Sequence, residues 1–261
     1  MRFAINHVSV PKLDIGAFFA MCRRLGVTEV EIRNDTPDVV AQVKPAEVRA
    51  AAALHGVTIL SINGLYPFNQ WSGDLPDRAQ RLADYAAACG AGALVLCPLN
   101  DGRMVPHSRS VAALDALKPI LTERGLHALV EPLGFATSSM RTKAEAIAAI
   151  TETGDDGTYR LLHDTFHHHL SGETAVYPRR TGLVHVSGAG RPGAAPRDMQ
   201  DRDRGLVGNG DGLENIGQLR ALLAGGYQGV ISFEAFAAEV HDLPDPETAL
   251  KTSMAYVRAQ I

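Results

Sequence analysis

No pair of cysteines in this chain has the spacing of a disulfide framework or a redox motif. Cys22, Cys89 and Cys97 form an odd, scattered set with no CxxC among them, which reads as reduced thiols in a cytoplasmic protein rather than a secreted scaffold. The chain also lacks any run of about 18 apolar residues, the length a helix needs to cross a bilayer. Its opening, MRFAINHVSV, does not have the charged-then-apolar layout of a signal peptide. A cytoplasmic location without a membrane partner is therefore expected. Blocks of basic charge are absent too: 25 Lys and Arg face 29 Asp and Glu, the formal net charge is −4, and the cations are dispersed. A surface that tracks nucleic-acid phosphates needs a clustered cationic field, so nucleic acid is not an expected partner.

What is present is the usage of an ordinary globular protein, 46% hydrophobic and 21% charged over 261 residues. Eight short β-rich segments recur, at 3–10, 27–33, 57–63, 93–98, 127–131, 159–164, 183–187 and 230–234. Between them lie Ala-, Leu- and Arg-rich stretches, several with an apolar stripe at helical spacing: Val111, Leu114, Leu117 and Leu121, then Leu213, Ile216, Leu219 and Leu223. Strands alternating with helices imply parallel βαβ units. Eight such units within about 250 residues is the count that closes a (β/α)₈ barrel. The expected fold is therefore α/β, one TIM barrel over 1–261, with an open doubly wound sheet as the alternative because periodicity cannot show closure. No low-complexity linker divides the chain into two cores. Assembly into a homo-oligomer stays open at this stage.

The connection after the seventh strand, 188–211, is long and rich in Gly, Pro, Arg and Asp, and long loops of this kind usually cover an active site. Within it Gly188, Gly190 and Gly193 match G-x-G-x-x-G, a dinucleotide signature when a helix follows directly. Pro192 and Pro196 follow instead, with no apolar-periodic helix over 197–204, so the glycines read as loop punctuation.

The chemistry-bearing residues sit where strands end. Alternate residues of a strand share a face, so Val230, Ser232 and Glu234 look one way and Ile231 and Phe233 the other; His185 and Ser187 oppose Val184 and Val186 in the same manner. Strand five ends in Glu131 and strand six in Asp164. Chemistry in this fold is found at the C-terminal strand ends, and four consecutive strands deliver Glu, Asp, His and Glu to that rim. A lone Glu or His at such a place is usually a solvated rim group or a satisfied structural side chain. Three crowded carboxylates, however, cannot all stay ionised without a cation. Oxygen ligands with one imidazole suit Mn²⁺, Zn²⁺, Co²⁺ or Mg²⁺, and one divalent ion, Mn²⁺ first, is the expected cofactor. Asp164-x-x-His167 adds a second polar group at the start of the following helix, whereas His163 should face away and His168 and His169 read as structural or exposed.

At these residues the chain resembles the xylose-isomerase-like TIM-barrel superfamily of sugar isomerases, epimerases, certain dehydratases and abasic-site endonucleases, and within it the inosose (2-keto-myo-inositol) isomerases. The carrying stretches are EPLG at Glu131, HDTFHHHLSG from His163, VHVSG from Val184, DRDRGLVGNGDGL from Asp201 and ISFEAF from Ile231, with INGLYPFNQW from Ile62 as weaker support. The resemblance implies that Glu131, Asp164, His185 and Glu234 are the metal ligands. It also implies that His167 contacts substrate and that Arg204 both contacts substrate and steadies a ligand. The stretch 189–200 departs from the family pattern and bears on substrate rather than metal.

The expected activity is that of a metal-dependent isomerase of a polyol ketone, an inosose first. Moving a carbonyl to its neighbour removes a proton from carbon; a Lewis-acid ion stabilises the enediolate while two carboxylates, Glu131 and Glu234, exchange the protons. His7, Phe68 and Trp71 are candidate cavity walls. The alternatives are a ketose 3-epimerase, a hydroxypyruvate isomerase or a related dehydratase on the same site. From another class comes a catalytically silent sugar- or metal-binding protein, disfavoured because a binding module needs no pair of bases.

Overall fold

The computed structural model describes residues 1–154, 157–189 and 193–261. Its parallel strands are β1 (Arg2–Asn6), β2 (Glu29–Arg33), β3 (Thr58–Leu65), β4 (Ala93–Leu96), β5 (His127–Val130), β6 (Tyr159–Asp164), β7 (Thr181–Val186) and β8 (Val230–Phe233). They close into a barrel in sequence order, β1 pairing with both β2 and β8. The longer helices outside are α1 (Ile15–Arg24), α2 (Pro45–His55), α3 (Leu75–Cys89), α4 (His107–Thr122), α5 (Lys143–Glu152), α6 (Thr165–Ser171), α7 (Asn215–Ala224) and α8 (Pro246–Gln260). Closure, which periodicity left open, excludes the doubly wound sheet.

Two apolar layers follow from the alternation of strand side chains. Inside the barrel, Ala4, Val95, Leu129, Leu162, Leu183 and Val230 pack together. Outside, Ile5, Ile32, Ile62, Val184, Ile231 and Phe233 join the helices in the main core. Register then sets the polar tier. His185 lies opposite Asp164 on one side and Ser232 on the other, so the inward row changes from apolar to polar one step above Leu183 and Val230.

Two glycines of the quoted stretches are fixed by close approach. A Cβ on Gly134 would lie 2.1 Å from the His167 carbonyl oxygen, and one on Gly188 would lie 2.3 Å from that of Leu206. Gly188–Ala189 pairs antiparallel with Arg204–Gly205, a two-rung ribbon that brings the long connection back over the barrel mouth. Gly190 and Pro192 lie outside the described residues. Gly193 is followed by two 3₁₀ turns, Pro196–Asp198 and Asp201–Asp203, and, among the described residues, by no adjoining α-helix able to receive a pyrophosphate. Among the described residues, no helix is long and apolar enough to cross a membrane.

Candidate metal centre and its cavity

Glu131 and Glu234 each stand one residue beyond a strand, and their amides donate to Leu96 and Val186 carbonyl oxygens at 3.0 Å, prolonging the ladder by one rung. Asp164 closes β6 and also caps α6, its Oδ1 accepting the His167 amide at 3.0 Å. His185 projects from β7 and is fully buried. One ligand atom from each of these four residues lies within 4.8 Å of the others.

The tautomer of His185 decides whether this cluster fits a cation. Its Nε2 is 2.9 and 3.1 Å from the two oxygens of Glu31, and an ionised carboxylate only accepts, so Nε2 carries a hydrogen. Nδ1 then points at Glu234 Oε2 (3.0 Å), Glu131 Oε1 (3.7 Å) and Asp164 Oδ2 (3.8 Å), buried and without a hydrogen-bond partner. Four electron-pair donors facing one another demand a proton or a metal ion. The proton is held tightly: burial opposes it, but the charges of Glu234 and Glu31 outweigh burial and set the His185 pKa well above the usual imidazole range. A divalent ion answers the same need with three oxygens and one nitrogen, a donor set proper to Mn²⁺, Zn²⁺, Co²⁺ or Mg²⁺.

Glu31 is the functional residue that sequence reasoning missed. It is fully buried on β2 and accepts hydrogen bonds from Ser61 Oγ (2.6 Å), Asn63 Nδ2 (2.9 Å) and Ser232 Oγ (2.5 Å) as well as from His185. A signal existed. In EVEIR, Glu29, Glu31 and Arg33 share one face while Val30 and Ile32 share the other, the polar-inward pattern already recognised on β7 and β8. Carboxylates that receive a metal-bound histidine's N–H typically contribute 10–100-fold to metal affinity. Glu31→Gln is therefore expected to weaken divalent-ion binding by about that factor, as read by competition with a chromophoric chelator.

The two glutamates have different surroundings. Glu234 accepts from Arg33 Nη1 (2.9 Å) and Asn6 Nδ2 (3.1 Å) through one oxygen and from Arg204 Nη2 (2.7 Å) through the other. Burial alone would raise its pKa, but His185, Arg204 and Arg33 hold it well below the ordinary carboxylate range. Glu131 has no guanidinium partner among the described residues; the Cys97 thiol donates to its Oε2 at 3.3 Å. Burial first, and then the neighbouring Glu131 charge, push the Cys97 pKa up, so the thiol stays protonated.

Arg204 is anchored from several sides. Its Nε donates to Ser187 Oγ (3.1 Å), its Nη1 to Asp201 (3.2 Å) and its Nη2 also to Asp164. The guanidinium stands over the rings of Phe166 and Phe236, 5.1 and 4.7 Å from their centroids, a stabilising cation–π geometry. His167 is almost wholly buried, edge-on to Phe135 and Phe166, with Nδ1 unpartnered.

A cavity of about 400 Å³ opens onto this group, bordered by Glu131, Glu234, His167 and Arg204. Asp164 and His185 lie behind those residues and do not border it. The remaining expected wall residues are corrected by the geometry. After β1 the chain turns outward, so His7 stacks on Phe18 (centroids 4.2 Å apart) and its Nε2 bonds the Leu13 carbonyl oxygen at 2.9 Å. Burial lowers its pKa to about 4, keeping it neutral in the core. Phe68 is fully buried in the main core, and Trp71 packs against that core from its edge. The walls are instead supplied by Asn34, Tyr66, Arg78, Phe135 and Phe236. As expected, His163 faces outward, 2.9 Å from Gln218 on α7, and His168 is buried against Lys143.

Comparison with known proteins agrees with this architecture. A curated relative, L-ribulose 3-epimerase from Mesorhizobium japonicum, is 32% identical over 136 residues, 52% of this chain. The match spans 42% of that relative's length, less than half of it. The crystal structure of a xylose isomerase domain containing protein from Salmonella typhimurium LT2 superposes with a TM-score of 0.92 at 34% identity, over 99% of this chain and 96% of that one. That of IolI protein, which holds a zinc atom, superposes with a TM-score of 0.86 at 19% identity, over 100% and 99% of the two chains, a likeness of fold. The family model described as xylose isomerase-like TIM barrel matches residues 19–260. The chain belongs to the xylose isomerase-like TIM barrel family.

Proposed function

We propose that this protein is a divalent-metal-dependent isomerase or epimerase that moves a proton at the carbon next to the ketone of a polyol, with Glu131, Asp164, His185 and Glu234 holding the ion. One observation carries the reading. Of the four clustered residues, the two glutamates border the cavity while Asp164 and His185 lie behind. A site built only to store an ion has no need to present two carboxylates to a substrate-sized space.

A divalent ion held there would supply a Lewis acid that polarises the ketone and acidifies the adjacent C–H. The chain's residues then divide the remaining work. Glu131, which has no guanidinium partner among the described residues and borders the cavity, takes the first proton. Glu234, kept ionised by Arg33 and Arg204, serves the opposite side of the planar intermediate. His167, which borders the cavity, and the Arg204 guanidinium orient substrate oxygens. Phe135 and Phe236 limit the water that could compete for the proton.

An inosose is the first substrate to test, since the sequence likeness over EPLG, HDTFHHHLSG and VHVSG points that way. Inversion at C3 of a ketose is the second, favoured by the L-ribulose 3-epimerase relative. The zinc of IolI makes Zn²⁺ a metal to load alongside Mn²⁺. Metal-loaded protein is to be offered 2-keto-myo-inositol, L-ribulose, D-fructose and D-tagatose, with products identified by NMR. Conversion of the inosose to its 1-keto neighbour is the expected result. A clear preference for C3 inversion of a ketose would assign the epimerase reaction, and conversion of no member would reject both substrates.

A further inference from the structure

The cavity continues past the reacting end. Asn34 and Arg78 border both it and a second hollow of about 420 Å³, which runs on along Arg81 and Tyr85. These residues follow β2 and β3, across the barrel mouth from the ends of β6 and β7. Arg78 lies in the first turn of α3 and is half-buried. Its Nη2 donates to the Tyr66 carbonyl oxygen at 3.0 Å. The other two guanidiniums of the cavity already have carboxylate partners: Arg33 with Asp35 and Glu234, Arg204 with Asp164, Asp201 and Glu234. Among the described residues, Arg78 is therefore the one guanidinium bordering the cavity at the metal centre that has no carboxylate partner. The nearby Asp38 already caps Ala41 at 2.9 Å. The Asn34 side-chain amide donates to Gly64 (3.1 Å), which leaves its oxygen for a hydroxyl.

A guanidinium offers several N–H groups in a rigid fork that matches a phosphate or carboxylate. One that borders a substrate cavity without a counter-charge is a site for the substrate's own. We propose that Arg78 binds an anionic substituent, phosphate or carboxylate, at the end of the polyol ketone remote from the carbon that loses its proton. This rests on the metal-centre reading above and narrows it: a free inosose or ketose still reacts at the metal centre, but carries no charge for Arg78 to meet and turns over less efficiently than its anionic derivative.

The test compares D-fructose with D-fructose 6-phosphate, and with D-fructuronate, which carries a carboxylate at C6, as the carboxylate arm. Metal-loaded wild type, Arg78→Gln and Arg78→Lys are followed by solvent deuterium entering carbon. In parallel, inorganic phosphate binding is measured by calorimetry on the same proteins. An anionic compound should have the higher kcat/KM, and the phosphate or the carboxylate arm identifies the group. In Arg78→Gln that preference should fall about 10- to 100-fold, the range for one charged hydrogen-bonding partner, chiefly through KM, with Arg78→Lys intermediate. Phosphate should bind Arg78→Gln at least tenfold more weakly than wild type. An anionic preference that survives in Arg78→Gln, or equal phosphate binding by the two proteins, overturns the proposal. Absence of exchange from every compound would count against the metal-centre reading, and phosphate binding would then decide the role of Arg78 alone.

Discussion

Asp164→Asn and His185→Ala proteins are expected to leave purification with little bound metal and to bind added Mn²⁺ or Zn²⁺ more than 100-fold more weakly than wild type. Loss of support behind a ligand already costs 10–100-fold, and here the ligand itself is lost. The two variants fail differently. His185→Ala also strands Glu31, a fully buried carboxylate whose remaining donors are two hydroxyls and an amide. Removing one partner of a buried charge leaves the other uncompensated, typically at 3–5 kcal/mol, so a lowered melting temperature is expected along with metal loss. Asp164→Asn keeps an oxygen to cap α6 and so tests metal binding with less damage to folding. Elemental analysis with a melting curve separates the two effects. Unchanged metal content in both variants would show that the cluster is not the ion's site.

Glu131→Gln and Glu234→Gln carry the second large effect. Gln keeps the volume and one oxygen ligand but is no base. Each variant should retain part of its metal and lose about 10²–10⁴-fold in kcat, the usual contribution of a positioned general acid or base. The environments predict an asymmetry. Glu234 is gripped by Arg33, Arg204 and Asn6, so its replacement also frees two buried guanidiniums and should disturb KM. Glu131 has the Cys97 thiol as its donor, so Glu131→Gln should act mainly on kcat.

The barrel and its four-residue cluster were legible because both rest on local order. Strand alternation puts Val184 and Val186 outward and His185 inward whatever the rest of the chain does, and the C-terminal position of Glu131, Asp164 and Glu234 on their strands is visible in one line of sequence. The walls were not legible, because they depend on where loops travel after the strands end. His7 follows β1 as Glu234 follows β8, yet the chain bends outward at His7 and the ring stacks in the core. Arg78 lies on a helix, and nothing in LPDRAQRLADYAAAC marks it as facing a cavity rather than solvent. Glu31 was overlooked for another reason. Its partner His185 is 154 positions away, and only barrel closure brings β2 opposite β7.

The most direct measurement is deuterium entering the carbon next to the ketone when metal-loaded protein and substrate are incubated in D₂O, read by mass spectrometry in recovered substrate and product. Wild type should place deuterium in both. Glu234→Gln should still label substrate while forming little product, and Glu131→Gln, with ion bound, should label neither. Wild-type labelling by a metal-loaded Glu131→Gln protein would contradict the claim that this carboxylate takes the proton.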